Sequence, residues 1–222
     1  MCSHYQAIKE RERYLRKFGV YPPPHEYIED MWPKYQGTFI RRPPEFESGD
    51  EAVPPREAQV GRWGLVPWNT TDAARQLKLS TFNARVESVA HSITFGGAWR
   101  RAQHCIIPAD AIYEPDWRTG RHVPTRIERA DGEPLGIAGL WDRWDSPRGP
   151  MLSYTMLTIN ADEHAFMCKF QRPDDEKRMV VILREGDYQT WLNAPAGSSM
   201  DFMRQCAPAA LVATGTWTAP GN

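Results

Sequence analysis

Proline sets the tightest limit on what this 222-residue chain can become. Inside a helix each proline removes an N–H donor and collides with the preceding turn, at about 3 kcal/mol. Nineteen prolines are present. They stand together at Pro22-Pro23-Pro24, Pro43-Pro44 and Pro54-Pro55, and singly at Pro67, Pro108, Pro115, Pro124, Pro134, Pro147 and Pro150 among others. Long uninterrupted helices are therefore scarce, and the apolar runs between prolines are short.

Those runs read mostly as strands. Residues 5–18 form the main exception, a helix with Ile8, Leu15 and Phe18 near one face. Residues 19–60 read as extended, with a short strand at 38–40, and residues 61–67 as a strand that ends at Pro67. Residues 71–79 are weakly helical. Further strands are expected at 105–107, 111–113, 124–128, 135–141, 154–159, 179–183 and 211–214, from alternation or β-branched content. A short helix is expected over 185–192. The pattern predicts an α+β fold: one domain over residues 1–222, a strongly bent, mainly antiparallel, barrel-like β-sheet, and a few peripheral helices.

Acidic and basic side chains nearly cancel, leaving a formal charge of -1. Nucleic-acid binding would therefore need a local basic surface, which excludes a histone-like or basic-tail protein. No apolar run approaches the roughly 18 residues that span a bilayer, and the amino-terminal segment lacks the apolar centre of a secretion signal. The cysteines at 2, 105, 168 and 206 form no CxxC pair, so neither a zinc ribbon nor a disulfide framework is expected. A cytoplasmic protein follows, with no membrane, no metal and no cofactor.

Cys2 carries the first chemical signal. Removal of Met1 would leave an α-amine beside a thiol. The amine, of ordinary pKa about 8, can condense with an aldehyde while the thiolate adds to the resulting imine. The product is a five-membered thiazolidine. Alone, a cysteine at this position is ordinarily incidental. Asn83 and Glu114 are polar groups beside apolar stretches, where burial requires partners; each alone reads as a turn asparagine and a surface glutamate.

Their context is more specific. Met1-Cys2, Trp63-Gly64-Leu65-Val66-Pro67, Asn83-Ala84-Arg85-Val86-Glu87, Cys105 through Glu114 (CIIPADAIYE), Ala138-Gly139-Leu140-Trp141 and Arg178-Met179-Val180 occur in that order. Together they resemble the motifs of the SRAP (SOS response-associated peptidase) family over residues 1 to about 183. The resemblance implies an enzyme that cross-links Cys2 to the ring-opened aldehyde of an abasic site in single-stranded DNA and shields the lesion. It also implies self-removal of residues before Cys2 and weak lyase chemistry. Carried over by motif, Asn83 orients the Cys2 main chain or the sugar, and Glu114 is the general acid/base. Arg85 clamps a phosphate, Trp68 stacks on or wedges bases, and Thr158 touches backbone phosphate. A monomer is expected.

Three departures stand out. Ser3-His4 replaces Gly-Arg, so one phosphate-binding Arg is missing. Pro115 replaces the Trp after Glu114. The active-site His falls on Gln171, which can hydrogen-bond but cannot titrate. His164, seven residues earlier, is a candidate substitute; His104 and His91 carry no motif. Three rival readings remain. One is a non-covalent single-stranded DNA binding module impaired by Gln171; another is an N-terminal-nucleophile amidohydrolase, which leaves the WGL.P and NAR motifs unexplained; the third, a structural phage or prophage protein, explains none of the motif order.

Overall fold

The computed structural model describes residues 2–217. In chain order the elements are β1 (Tyr5–Gln6), α1 (Arg11–Phe18), β2 (Asp30–Met31), β3 (Gln36–Arg41), β4 (Glu57–Trp63), α2 (Ala73–Gln76), β5 (Asn83–Arg85), α3 (Gly96–Arg100), β6 (His104–Ala109), β7 (Ala111–Asp116), β8 (Val123–Arg129), β9 (Leu135–Ser146), β10 (Gly149–Asn160), β11 (Arg178–Val180), α4 (Tyr188–Asn193) and β12 (Leu211–Thr216). The α+β fold is built from two sheets with few helices.

One sheet has the order β12-β8-β7-β1-β2, every pair antiparallel. The other runs β11-β10-β4-β3-β6-β9, and β9 pairs back onto β10, closing five strands into a barrel. Closure depends on Gly139, which lies opposite Met156. A Cβ there would overlap Ile107 Cδ1 and stand 2.5 Å from the Thr155 carbonyl oxygen. Trp63, Phe39, Tyr154 and Ile106 are fully buried. Tyr5 joins this core, its ring edge on Trp63 and its hydroxyl 2.7 Å from that of Tyr154. The Trp191 indole of α4 donates to the Cys105 carbonyl at 2.9 Å, and the Cys105 side chain is fully buried in the core.

The helix expected over 5–18 forms only as α1. Tyr5 and Gln6 instead pair on both edges, with β2 and β7, because strand pairing satisfies their main chain while burying Tyr5. The strand expected at 61–67 is shifted toward the amino terminus as β4. Among the described residues no helix is long and apolar enough to cross a membrane.

Candidate functional site

The amino-terminal strand fixes the site. β1 runs antiparallel to β7, with Tyr5 opposite Ile112, and the Tyr113 N–H donates to the His4 carbonyl at 3.0 Å. This brings Cys2 to Glu114 at the other end of the strand pair. Cys2 is 1% exposed; its thiol donates to the His4 carbonyl at 3.3 Å. The Asn83 amide donates to the Cys2 carbonyl at 2.6 Å. Asn83 can do so because β5 lies parallel against β10, with Asn83 opposite Met156. Burial, followed by the nearby Glu114 carboxyl, pushes the Cys2 thiol up to about 12. Met1, whose removal the family resemblance implies, lies outside the described residues.

Glu114 is also buried, and burial raises its carboxyl above the usual range against the opposing pull of the Gln171 amide. Gln171 Nε2 donates to Glu114 Oε2 at 3.2 Å. The same amide pairs with the Arg178 main chain, donating to its carbonyl at 2.7 Å and accepting from its N–H at 3.0 Å. With the left-handed φ of 67° at Gln171, this side chain acts as a short extra strand that carries a spare donor toward Glu114. Cys2 and Glu114 both favour their neutral forms, so the pocket accommodates one negative charge more readily than two.

Arg178 organises the next layer. Its buried guanidinium donates to both oxygens of Glu87 at 2.8 Å, to Glu176 at 2.8 Å and to the Thr158 carbonyl at 2.7 Å. Thr158 is 1% exposed, its hydroxyl 3.3 Å from the same guanidinium. Arg85 is exposed and bonds Glu176 at 2.5 Å. Glu87 and Arg178 stand within motifs read from the sequence, but their bidentate pairing became visible only once the strands were in place.

A cleft of about 410 Å³ opens beside this cluster, lined by Arg85, Trp117, Gln171, Arg172 and Arg178 among others. Trp68 is exposed elsewhere, with the Arg101 guanidinium 5.5 Å over its ring. It lines a separate recess that shares no residue with the cleft. His164 is committed to the main chain: Nδ1 accepts from Met167 N–H at 3.0 Å, and Nε2 lies 2.9 Å from the Cys206 carbonyl. His104 is buried against Trp191 and Ser199, its imidazole held down at about 4 by burial. Among the described residues no group of three or more His, Cys, Asp and Glu is placed to hold a metal ion.

The model of a family described as SOS response associated peptidase (SRAP) matches residues 1–215. The chain belongs to the SRAP family. A crystal structure of a Bordetella bronchiseptica protein, 50% identical, superposes with a TM-score of 0.89 over 98% of this SRAP chain and all of the other. A Bacteroides thetaiotaomicron structure at 16% identity and a TM-score of 0.77 shares the fold. Among curated relatives, abasic site processing protein YoaM of Bacillus subtilis is 34% identical over 149 residues, 64% of this chain and 59% of its own length. Abasic site processing protein HMCES of Gallus gallus is 27% identical over 175 residues, covering 68% of this chain and 50% of HMCES. The SRAP chain thus spans between half and three fifths of these two relatives.

Proposed function

We propose that this SRAP protein processes abasic sites in single-stranded DNA by joining the ring-opened sugar to Cys2 as a thiazolidine. The observation that carries this reading is the Asn83 bond to the Cys2 carbonyl at 2.6 Å, beside a buried Glu114. The relatives named for abasic site processing support the substrate.

The chemistry needs the Met1–Cys2 bond already broken, and self-removal of Met1 by the same groups belongs to the proposal. The Cys2 amine adds to the aldehyde carbon and the resulting hydroxyl leaves as water, giving an iminium. Sγ then adds to the same carbon and loses its proton. Glu114, whose carboxyl burial raises above its ordinary range, donates the proton that makes water leave. Its carboxylate then accepts the thiol proton, so that negative charge passes between two groups that cannot easily carry it together. Asn83 holds the Cys2 main chain in reach of that carbon, and Gln171 orients Glu114. Arg85 is assigned to a flanking phosphate, Thr158 to the phosphate side of the cleft through Arg178, and Trp68 to base stacking in the outer recess. Residues 1–222 are taken as one SRAP-like unit, a cytoplasmic monomer without metal or cofactor, with weak lyase activity.

The test is an intact-mass spectrum after incubation with an abasic single-stranded oligonucleotide. A mass equal to protein without Met1 plus DNA minus one water is expected, and it should vanish in Cys2→Ala. Because Gln171 cannot titrate, a binding-only role is the second reading; retained DNA affinity with no covalent adduct would establish it instead.

A further inference from the structure

A nucleophile at the end of a chain needs anchoring, since the first residues of a domain fray unless tied down. Here the regular pairing beyond Cys2 amounts to the two residues of β1. The side chain next to that strand is His4, where the resemblance leads one to expect a phosphate-binding Arg. It points inward and is 3% exposed. Its ring lies between Trp32 and Tyr113, with centroids 4.1 and 4.0 Å away and planes within 13° and 11° of parallel. Trp217 closes a third side edge-on at 5.1 Å. His4 Nε2 is 2.7 Å from Asp30 Oδ1, and the same oxygen accepts from the Trp217 indole at 3.1 Å.

We propose that His4 is the positioning residue for Cys2: its ring, caged by Trp32, Tyr113 and Trp217, fixes the main-chain carbonyl against which the thiol is held. That carbonyl accepts both the Cys2 thiol and the Tyr113 N–H. Holding the ring therefore holds the thiol, and holds it relative to β7, the strand that carries Glu114. The cage draws on three distant parts of the chain. Trp32 follows β2, Tyr113 belongs to β7, and Trp217 follows β12, where its N–H is tied to the Pro124 carbonyl at 2.9 Å. The carboxy-terminal segment carries no motif, yet it completes the anchor of the amino terminus.

This inference rests on Cys2 being the nucleophile, and the experiment separates the two ideas. Full-length wild type, His4→Ala, His4→Phe and Trp217→Ala are compared by three measurements. These are the rate of iodoacetamide alkylation at Cys2, followed by peptide mass; adduct formation with abasic single-stranded DNA across concentration; and the melting temperature. A displacement of about an ångström is worth up to about 100-fold in rate. His4→Ala should therefore speed Cys2 alkylation and slow adduct formation at saturating DNA, each about tenfold or more, with the half-saturating DNA concentration unchanged. His4→Phe keeps the stacked ring and should recover most of the rate. Trp217→Ala should move both quantities in the same direction as His4→Ala.

Unchanged alkylation and saturating rates in His4→Ala would overturn the proposal, as would a change confined to the half-saturating concentration, which marks a DNA contact. Should His4→Ala fail to fold, Trp217→Ala decides by the same criteria. If wild type forms no adduct, the proposed function fails, and alkylation alone decides the anchor.

Discussion

Gln171 spends one end of its amide on the Arg178 N–H and the other on the Arg178 carbonyl, leaving one N–H for Glu114. An imidazole in its place would titrate, but would keep at most one of the two Arg178 bonds. In the proposed chemistry Glu114 supplies a proton donor and acceptor for closing the thiazolidine; a second titrating group would speed closing and reopening alike, and cleaving the strand needs a further transfer. Wild type should therefore form a long-lived adduct with little DNA release or scission. Gln171→His should restore release, with a pH dependence near the ordinary imidazole value of about 6.5, at about 1 kcal/mol of stability for the lost bond. Timed release of DNA from purified adduct checks this; rapid release by wild type that disappears in His164→Ala would transfer the role to His164. Glu114 gives a second prediction. Burial raises its folded carboxyl, so below the unfolded value of about 4.3 both states are neutral, and stability is lost as pH rises through the raised folded value. Glu114→Gln should melt higher than wild type at pH 8, match it near pH 4, and form adduct about 10²–10⁴-fold more slowly. Equal melting at both pH values would show that the carboxylate is not destabilising.

At the level of elements, the apolar halves of strands were legible and the polar halves were not. Leu135–Trp141 reads as a strand from its side chains, yet β9 continues through Asp142, Arg143 and Asp145 to Ser146, paired residue by residue with β10. That continuation depends on the partner strand, which local pattern does not display. The same reason hid β5. Asn83, Ala84 and Arg85 carry no β signal of their own, and they extend because β10 offers an unpaired edge at Met156–Thr158. Cys2, Asn83 and Glu114, which the fold brings together, stand out in the sequence because they fall within a known motif order. His4 and Trp217 do not, since a cage gathered from three segments leaves no local spacing to read. Gly139 stands in the Ala138-Gly139-Leu140-Trp141 motif, and barrel closure gives the physical reason for a glycine there. Gly139→Ala would drive a methyl into Ile107 and the Thr155 carbonyl, main chain that cannot yield cheaply. A loss of about 3 kcal/mol or more is expected from such overpacking, read as a denaturant midpoint shift, while the exposed Gly186→Ala should move it by less than about 1 kcal/mol.

Across the whole molecule a formal charge of -1 leaves DNA affinity to local groups. The proposed function assigns Arg85 such a part, and its ion pair with Glu176 would have to loosen for a phosphate to bind there. Arg85→Ala should weaken binding of abasic single strands and reduce the slope of log affinity against log salt by about 0.7. Equal affinity of wild type for intact duplex and abasic single strand would contradict a lesion-centred interface. The burial of Cys2 also has a consequence in time. Its strand is closed in by β7 and by Trp217, and neither exists while the early chain is still on the ribosome. At about 5–20 residues per second, roughly 6–23 s pass before Asp116 is made. An aminopeptidase meets an open strand in that interval; once Cys2 is buried, the proposed self-removal would have to rely on the groups beside it. Translation in a cell-free system without the aminopeptidase separates the two routes. Self-removal predicts that folded wild type loses Met1 while Glu114→Gln keeps it. If both keep Met1, maturation belongs entirely to the nascent chain, and a molecule that misses its interval carries a sealed nucleophile for life.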